Sequence, residues 1–310
     1  MKKIDVTFKS GSEILSGTLT CSMDQKSLPL VILVAGSGPV DRDENHKKLK
    51  INLLSSIASY FEKFNIATLR YDKRGVGHST GDFLSTGFFD NIEDAKAAID
   101  FIKDTSHVAP KHILMLGHSE GAIISAHIAS QQHGLSGAIL LAGTARSGMG
   151  ILKWQLEKIA PGLSNWQKKL LRFLRIDLFK SQHKTLEKIQ QSSQAKMRTK
   201  LFSTINAKWM REFIQYDPTP CLEKISIPIL AITGDKDIQT PADDLAMMKK
   251  LIGHQVETHV ISDLTHVMRR DTGKPAISHY KELISHPVDT EVLRLMVGWI
   301  LKINGINTTA

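Results

Sequence analysis

Gly117-His118-Ser119-Glu120-Gly121 lies between the apolar run Ile113-Leu114-Met115-Leu116 and a helix-like stretch at residues 122–129. A Gly-x-Ser-x-Gly pattern in this position predicts a sharp turn from a strand to a helix, with the Ser119 hydroxyl exposed. The glycines keep the neighbouring backbone free of clashes. A serine becomes a nucleophile only with a base, an acid that orients the base, and donors for an oxyanion. These groups must come from other parts of the chain.

The composition is that of a globular protein, with 310 residues of which 42% are hydrophobic and 23% charged. This length suits one domain of about 200 to 250 residues with an insertion. We expect no signal peptide, because the first residues alternate charged and apolar types, and no stretch is apolar enough to cross a bilayer. Only Cys21 and Cys221 are present, which argues against a disulfide framework and predicts a cytoplasmic protein.

The net charge of +9 is concentrated in one segment. Residues 146–216 contain 15 Lys or Arg and 4 Asp or Glu, so the rest of the chain is slightly acidic. Because the basic character does not extend over the whole surface, we predict no nucleic-acid partner.

Strand patterns alternate with helix patterns through most of the chain. Two alternating strands, at 3–9 and 13–21, predict an N-terminal hairpin. Further strands are predicted at 29–35, 66–71, 113–116, 137–141, 225–233 and 256–261, and helices at about 49–64, 91–105, 241–251 and 288–303. This order predicts α/β architecture, with a mainly parallel sheet and helices on both faces.

The alternation stops at residue 146, and residues 146–216 are helical in pattern, rich in Trp and Lys, and without a strand signal. We predict a core made of residues 1–145 and 217–310, and a helical cap made of residues 146–216. The segment 166–175 has apolar residues on one helical face and basic residues on the other. We interpret it as a cap helix that buries its apolar face, and contact with a membrane surface is the alternative.

A glycine-rich and acidic loop, Gly36-Ser37-Gly38-Pro39-Val40-Asp41-Arg42-Asp43-Glu44-Asn45, follows the strand at 29–35. Open α/β sheets bind ligands at such strand ends. A dinucleotide fingerprint would need glycine at Asp41, and an EF-hand would need glycine at His46 and glutamate at Asn52. The charged residues 41–43 therefore either contact substrate or form an internally salt-bridged loop.

Together with Asp72-Lys73-Arg74-Gly75-Val76-Gly77-His78-Ser79 and the turn at 117–121, this loop resembles the α/β-hydrolase superfamily, in its serine-aminopeptidase-like and acyl-ester hydrolase branches. The resemblance covers the core on both sides of the cap but not the cap. It implies an eight-stranded, mostly parallel sheet and the order Ser, acid, His along the chain. It also implies an oxyanion hole formed by the backbone N–H groups of Ser37 and Glu120.

The acid should follow the strand at 225–233, where Gly234-Asp235-Lys236-Asp237 offers two carboxylates. Resemblance to the family's Gly-x-x-Asp turn favours Asp237, and Asp235 is the alternative. Of the 13 histidines, His266 lies just past the last strand, where the Ser, acid, His order requires the base. The predicted triad is Ser119, Asp237 and His266.

Several residues allow both a structural and a functional interpretation. Arg74 could bind an anion, but we favour a tight turn in which it pairs with Asp72 or nearby carbonyls. The Glu120 side chain either contacts substrate or pairs with a core residue. Asp41, Trp154 and Trp209 are the other candidate substrate contacts. Aromatic and apolar cap residues could wall an acyl pocket, namely Trp154, Trp166, Phe173, Trp209, Met210 and Phe213.

These features predict a serine hydrolase that cleaves carboxylic esters of short to medium acyl groups through an acyl-enzyme, with no metal or organic cofactor and a small-molecule ester as its partner. One alternative is an aminopeptidase or acyl-peptide hydrolase, whose substrate amino group would need Glu120 or Asp41. The other is a non-catalytic binding protein that uses its basic cap. A dehalogenase or epoxide hydrolase is disfavoured because the nucleophile position holds Ser119 and not aspartate.

Overall fold

The computed structural model describes residues 1–22, 24, 27–162, 166, 169, 177–198 and 204–305. Its strands are β1 (Lys2–Ser10), β2 (Glu13–Cys21), β3 (Leu30–Val34), β4 (Asn45–His46), β5 (Leu49–Lys50), β6 (Ala67–Tyr71), β7 (Ile113–His118), β8 (Gly137–Leu141), β9 (Lys196–Arg198), β10 (Thr204–Asn206), β11 (Ile229–Gly234) and β12 (Val256–Ile261). Its helices are α1 (Leu53–Glu62), α2 (Phe88–Asp104), α3 (Glu120–Ser130), α4 (Gly148–Ile159), α5 (Leu178–Gln191), α6 (Ala207–Gln215), α7 (Thr219–Leu222), α8 (Asp244–Ile252), α9 (Tyr280–Leu283) and α10 (Thr290–Ile303).

The central sheet has eight strands in the order β1-β2-β6-β3-β7-β8-β11-β12. β2 pairs antiparallel with β1 and with β6, and the remaining neighbours pair in parallel. The predicted eight-stranded, mostly parallel sheet is therefore confirmed. The strand expected at 225–233 begins only at Ile229, after Pro228, because proline cannot donate to the ladder.

The inner strands β3, β6, β7, β8 and β11 are buried at every position. This burial explains their continuous apolar runs, since a parallel strand covered on both faces has no solvent side. Apolar side chains of α1 and α10 pack on one face of the sheet. Those of α2, α3 and α8 pack on the other face. Because the helices cover the two faces of the sheet, the carboxyl ends of the parallel strands are contacted by loops at one edge.

The start of α1 differs from the sequence prediction, which placed a helix from about residue 49. Asn52, the residue before α1, adopts a left-handed conformation with φ of 50°, and β4 and β5 form a two-stranded ribbon just before it. The Asn45 side chain accepts the N–H of Asn52 at 2.9 Å and donates to its side-chain oxygen at 2.9 Å. This side-chain pairing ends the ribbon and starts the helix.

Residues between β8 and β11 contain α4, α5, α6 and α7, of which the first three lie in the segment 146–216 that was predicted to be helical. The prediction that residues 146–216 contain no strand was wrong, because β9 and β10 form a small antiparallel pair. Strands of three residues are too short to show a two-residue alternation. Most of the basic segment 166–175, including Phe173, lies outside the described residues, and Trp166 is 66% exposed. None of the described helices is long and apolar enough to cross a membrane.

Candidate active site

Ser119 occupies the turn between β7 and α3 in a strained backbone conformation, with φ of 55° and ψ of −115°. A Cβ atom at Gly117 would lie 1.9 Å from the carbonyl oxygen of Gly121. A Cβ atom at Gly121 would lie 2.2 Å from the carbonyl oxygen of Val34. Both glycines are therefore required by close backbone approach, as the Gly-x-Ser-x-Gly pattern indicated.

His266 and Asp237 come together at the carboxyl ends of β12 and β11. His266 Nδ1 lies 2.8 Å from Asp237 Oδ2, and the Asp237 side chain is fully buried. Asp237 Oδ1 accepts the backbone N–H groups of Gln239 and Thr240 at 2.7 and 2.8 Å. The carboxylate is thus held on both oxygens, and it fixes the imidazole with Nδ1 as the donor.

The alternative acid, Asp235, faces another partner. Its Oδ1 accepts the backbone N–H of Asp263 at 2.7 Å, near the surface. This bond ties the turn after β11 to the loop after β12. Asp235 therefore has a structural contact of the kind expected for whichever carboxylate does not meet the histidine.

The amide groups assigned to the oxyanion hole lie beside Ser119. A Cβ atom at Gly36 would be only 3.3 Å from the Ser119 Cβ, so the loop after β3 runs directly against the serine. Among the described residues, no acceptor is hydrogen-bonded to the backbone N–H of Ser37 or of Glu120. Both residues line the same cavity as Ser119. Unused N–H groups at such a place are free to bind an oxyanion.

A cavity of about 80 Å³ opens at Ser119 between the strand ends and the helices α4 and α6. Its lining includes Ile151 and Leu152 from α4, Trp209 and Phe213 from α6, and Thr240. The Thr240 hydroxyl lies 3.5 Å from His266 Nδ1, and His266 itself is not among the residues that line this cavity. At about 30 Å³ for each water, this volume has room for roughly two or three water-sized groups.

A second, larger cleft of about 870 Å³ adjoins this cavity. Ser37 and Trp209 line both spaces, so the two are neighbours across these residues. The walls of the larger cleft include Phe83, Leu84 and Met210. Such a mainly apolar cleft beside a small cavity can hold two unequal parts of one ligand.

Three of the four predicted substrate contacts line these spaces. Trp209 lines both, Glu120 lines the small cavity, and Asp41 lines the large cleft. Trp154 is not among the lining residues of either space; the Lys158 ammonium lies 5.6 Å from its ring centroid. Sequence spacing alone could not tell which tryptophan of residues 146–216 lines the cavity at Ser119.

The Glu120 carboxylate is buried and engaged by three donors. Lys73 Nζ lies 3.0 Å from Oε2, while Asn91 Nδ2 and Trp209 Nε1 donate to Oε1 at 2.9 and 2.8 Å. The geometry thus matches the structural interpretation of this side chain, in which it pairs with the core. It leaves the backbone N–H of Glu120 as the group that faces the cavity.

The charged loop at 41–43 is internally bridged. Arg42 donates to Asp72 at 2.7 Å, and Asp43 forms an ion pair with Arg70. Burial alone would raise the pKa of Asp72, but the hydrogen bonds from Arg42 lower it below its usual value. Asp41 Oδ1 accepts two backbone N–H groups of its own turn.

Arg74 also has an internal partner, but not the one expected from the sequence. Its guanidinium lies 2.7 Å from Asp94 on α2, whereas Asp72 is taken by Arg42. Burial of Asp94 raises its pKa in spite of this ion pair. The proposed Asp72 partner was wrong because α2 brings a carboxylate from 20 residues away, which local spacing does not reveal.

Two further site residues were missed by sequence reasoning. His118 Nδ1 lies 2.7 Å from Glu44 Oε1, and His118 Nε2 lies 2.9 Å from the carbonyl oxygen of His266. Glu44 Oε1 also accepts the N–H of Gly36 at 2.7 Å. The sequence did offer a signal, because His118 precedes the serine and Glu44 lies in the loop after β3. Their pairing could not be predicted, because they are 74 positions apart in the chain.

An eight-stranded sheet with a serine at a strand-to-helix turn is the architecture of the α/β-hydrolases, and solved structures share it. Est1E from Butyrivibrio proteoclasticus, solved with ferulic acid, has a TM-score of 0.65 at 17% identity, covering 97% of this chain and 99% of that one. A proline iminopeptidase from Mycobacterium smegmatis has a TM-score of 0.64 at 14% identity, with coverage of 97% and 99%.

Within this class, residues 50–273 match the family model described as "Serine aminopeptidase, S33". The chain belongs to that family. It is also 28% identical over 291 residues to esterase EstD of Thermotoga maritima, a match that covers 93% of this chain. The chain spans 66% of the length of that esterase.

Proposed function

We propose that this protein is a carboxylesterase that uses Ser119, His266 and Asp237 as a catalytic triad. His266 Nε2 takes the proton of the Ser119 hydroxyl as its oxygen attacks the ester carbonyl. The N–H groups of Ser37 and Glu120 stabilise the resulting oxyanion. The imidazolium then protonates the leaving alcohol, and water, deprotonated by His266, releases the acid from the acyl-enzyme.

The observation that carries the proposal is the hydrogen bond between His266 Nδ1 and Asp237 Oδ2. With its proton on Nδ1, the neutral imidazole has an unprotonated Nε2, which is the atom that a general base needs. Buried Asp237 offsets the positive charge that develops on the ring as it accepts the serine proton. The strained backbone of Ser119 supports the same role, since such strain is typical of a nucleophile turn.

We further propose that residues 146–216 act as a cap over the core, and that the small cavity receives the acyl group. Ile151, Leu152, Trp209 and Phe213 come from this segment and form its apolar wall. Its volume of about 80 Å³ suits a short acyl chain. The alcohol part of the ester then extends into the 870 Å³ cleft.

Two facts favour esters over substrates with a free amino group. The esterase EstD is a relative of most of this chain. The Glu120 carboxylate, which an amino group would need, is already paired with Lys73. In an aminopeptidase, Asp41 in the large cleft is the remaining carboxylate that could bind the amino group of the substrate. Because the family is described as a serine aminopeptidase family, aminopeptidase activity is the alternative.

The test uses p-nitrophenyl esters of increasing acyl length, acetate esters of increasing alcohol length, and aminoacyl p-nitroanilides. We expect hydrolysis of the short acyl esters to exceed that of the anilides by about a hundredfold or more in kcat/KM. Ser119→Ala should lower kcat by about 10³-fold or more and abolish labelling by a fluorophosphonate. Activity that survives this substitution would exclude the mechanism, and faster cleavage of the anilides would favour the aminopeptidase.

The assignment of the two spaces has its own matched pair of variants. Leu152→Ala enlarges the small cavity and should move the preferred acyl chain to a longer one by two or more carbons. Leu84→Ala enlarges only the large cleft and should alter the response to alcohol length instead. If Leu84→Ala shifts the acyl preference, the two parts of the ester bind in the opposite order.

A further inference from the structure

A buried pair, Glu44 and His118, connects the three loops that meet at Ser119. Glu44 belongs to the loop after β3, and His118 is the last residue of β7. Each side chain is 4% exposed. The pair reaches the oxyanion loop through the N–H of Gly36 and the histidine loop through the carbonyl of His266. Neither residue is needed as an acid, base or nucleophile in the proposed reaction.

The hydrogen bonds of His118 fix one proton and share another. The carbonyl oxygen of His266 can only accept, so His118 Nε2 must carry a proton. The 2.7 Å contact between His118 Nδ1 and Glu44 Oε1 holds a second proton on one of these two atoms. With that proton on Nδ1, His118 is an imidazolium paired with an ionised carboxylate, and this is the form that the electrostatics favour.

The electrostatics of the pair agree with this geometry. Burial lowers the pKa of His118, but the charge and hydrogen bond of Glu44 outweigh this effect and raise the pKa above the usual histidine value. Asp237 contributes in the same direction, and the His266 ring lies 4.8 Å from the His118 ring. Burial lowers the pKa of Arg269 to about 10, and the charge of Glu44 partly offsets this effect.

Glu44 is poorly explained as a residue that stabilises the fold. Its backbone is left-handed, with φ of 65°, which is uncommon for a residue with a side chain. Its Oε2 is buried and has no hydrogen-bond partner among the described residues. A buried ion pair carries a desolvation cost, and left-handed backbone adds a further cost. Such costs are typical of functional sites.

We propose that Glu44 and His118 are positioning residues that hold the oxyanion loop and the histidine loop in register with Ser119. This inference rests on the proposed esterase function. Glu44 fixes the peptide of Gly36, and this sets the direction of the next N–H, that of Ser37. His118 fixes the carbonyl of His266 and so limits the movement of its ring toward or away from the serine.

The expected kinetic effect is on the transition state more than on substrate binding. An oxyanion donor acts where charge develops, so its misplacement lowers kcat and leaves KM nearly unchanged. A trifluoromethyl ketone forms a hemiketal oxyanion on the serine and needs the same donors. Its affinity should therefore fall in parallel with kcat.

The variant that tests this is Glu44→Gln, which keeps an oxygen acceptor for Gly36 but removes the charge that keeps His118 protonated. We expect kcat to fall about tenfold to a hundredfold with KM within about threefold, and the inhibition constant of an alkyl trifluoromethyl ketone to rise by a similar factor. Asp94→Asn is the matched control, because it neutralises another buried ion pair, with Arg74. It should lower the melting temperature and leave kcat unchanged.

A measurement on the wild type covers the case in which Glu44→Gln does not fold. Side-chain ¹⁵N spectra of histidine-labelled protein should show both ring nitrogens of His118 protonated at pH 7. A single protonated nitrogen, or a folded Glu44→Gln variant with wild-type kcat, would overturn the inference. If the wild type hydrolyses no ester, the proposed function fails while the spectra still report on the pair.

Discussion

The indole N–H of Trp209 donates to a carboxylate oxygen of Glu120 across 2.8 Å. This bond joins α6 to the first residue of α3, next to the proposed nucleophile. Because Glu120 is also held by Lys73 and Asn91, it gives the indole a fixed partner. The ring of Phe213 stacks on that of Trp209 with centroids 4.8 Å apart. The Glu120 carboxylate thus holds Trp209, and through it Phe213, in the apolar wall of the small cavity.

Glu120→Gln should therefore act on stability more than on catalysis. The amide removes the counter-charge of Lys73, which is 6% exposed, and a buried charge without its partner costs about 3–5 kcal/mol. The backbone N–H of residue 120 is retained, so we expect kcat to stay within about fivefold of the wild type. Urea unfolding measures the first effect and ester hydrolysis the second.

The control for this substitution is Glu223→Gln, at an exposed position, where the free energy of unfolding should change by less than about 0.5 kcal/mol. A loss of kcat above a hundredfold in Glu120→Gln, without loss of stability, would assign the carboxylate to the reaction instead.

The two carboxylates of the turn after β11 give a second prediction. Asp237→Asn should lower kcat by about 10³- to 10⁴-fold, because the amide no longer holds the His266 proton on Nδ1. Asp235→Asn removes only a surface bond to the Asp263 amide and should keep kcat within about threefold. Steady-state hydrolysis of one short-chain ester compares the two variants directly. Equal losses of kcat in the two variants would contradict the assignment of Asp237, and not Asp235, as the acid that orients His266.

A third prediction concerns the pH dependence of stability. The pKa of His118 is raised in the folded protein by Glu44, against the effect of burial. The stabilisation by the charged ring is thus fully present below the unfolded value of about 6.5 and is lost as the pH rises through the folded value. Urea unfolding of the wild type and of His118→Gln should differ most near pH 6 and least near pH 9. A difference that grows with pH would contradict the imidazolium.

The fourth prediction concerns the cysteines. Cys221 Sγ lies 3.4 Å from His127 Nδ1, and this hydrogen bond lowers the pKa of the thiol to about 7 despite partial burial. Burial raises the pKa of Cys21. Because the thiolate is the reactive form, iodoacetamide at pH 7.5 should alkylate Cys221 well before Cys21. Peptide mass spectrometry locates the adduct.

Cys221→Ser should lose this fast adduct, and His127→Ala should slow its formation by about tenfold, because the thiolate fraction at neutral pH falls. Equal rates at the two cysteines would contradict the role of His127.

The sequence was informative where local pattern and strand order decide the outcome. The run at 113–116 followed by Gly117 and Gly121 predicted a buried strand and a tight turn, and the structure has both. The positions of Asp237 and His266 follow from strand ends at one sheet edge. The roles of those residues stay predictions. Pairs that are brought together by packing, such as Arg74 and Asp94, were not predicted from the sequence. Distance along the chain does not indicate which helix covers which strand.

The contacts of α6 determine which segments of this chain could be exchanged by recombination. The Asn206 side chain donates to the carbonyls of Phe83 and Thr86 at 2.7 and 2.6 Å, and Glu212 accepts the N–H of Phe89 at 3.1 Å. By its contacts, this helix is joined to α2 and equally to α4 and α5, the two helices that precede it in the chain. Exchange of the chain between β8 and β10 would therefore remove one side of the packing of α6, while its bonds to residues 83–89 and the bond from Trp209 to Glu120 would remain. The position of Trp209 beside Ser119 thus depends on two parts of the chain, of which only one can be exchanged with that segment.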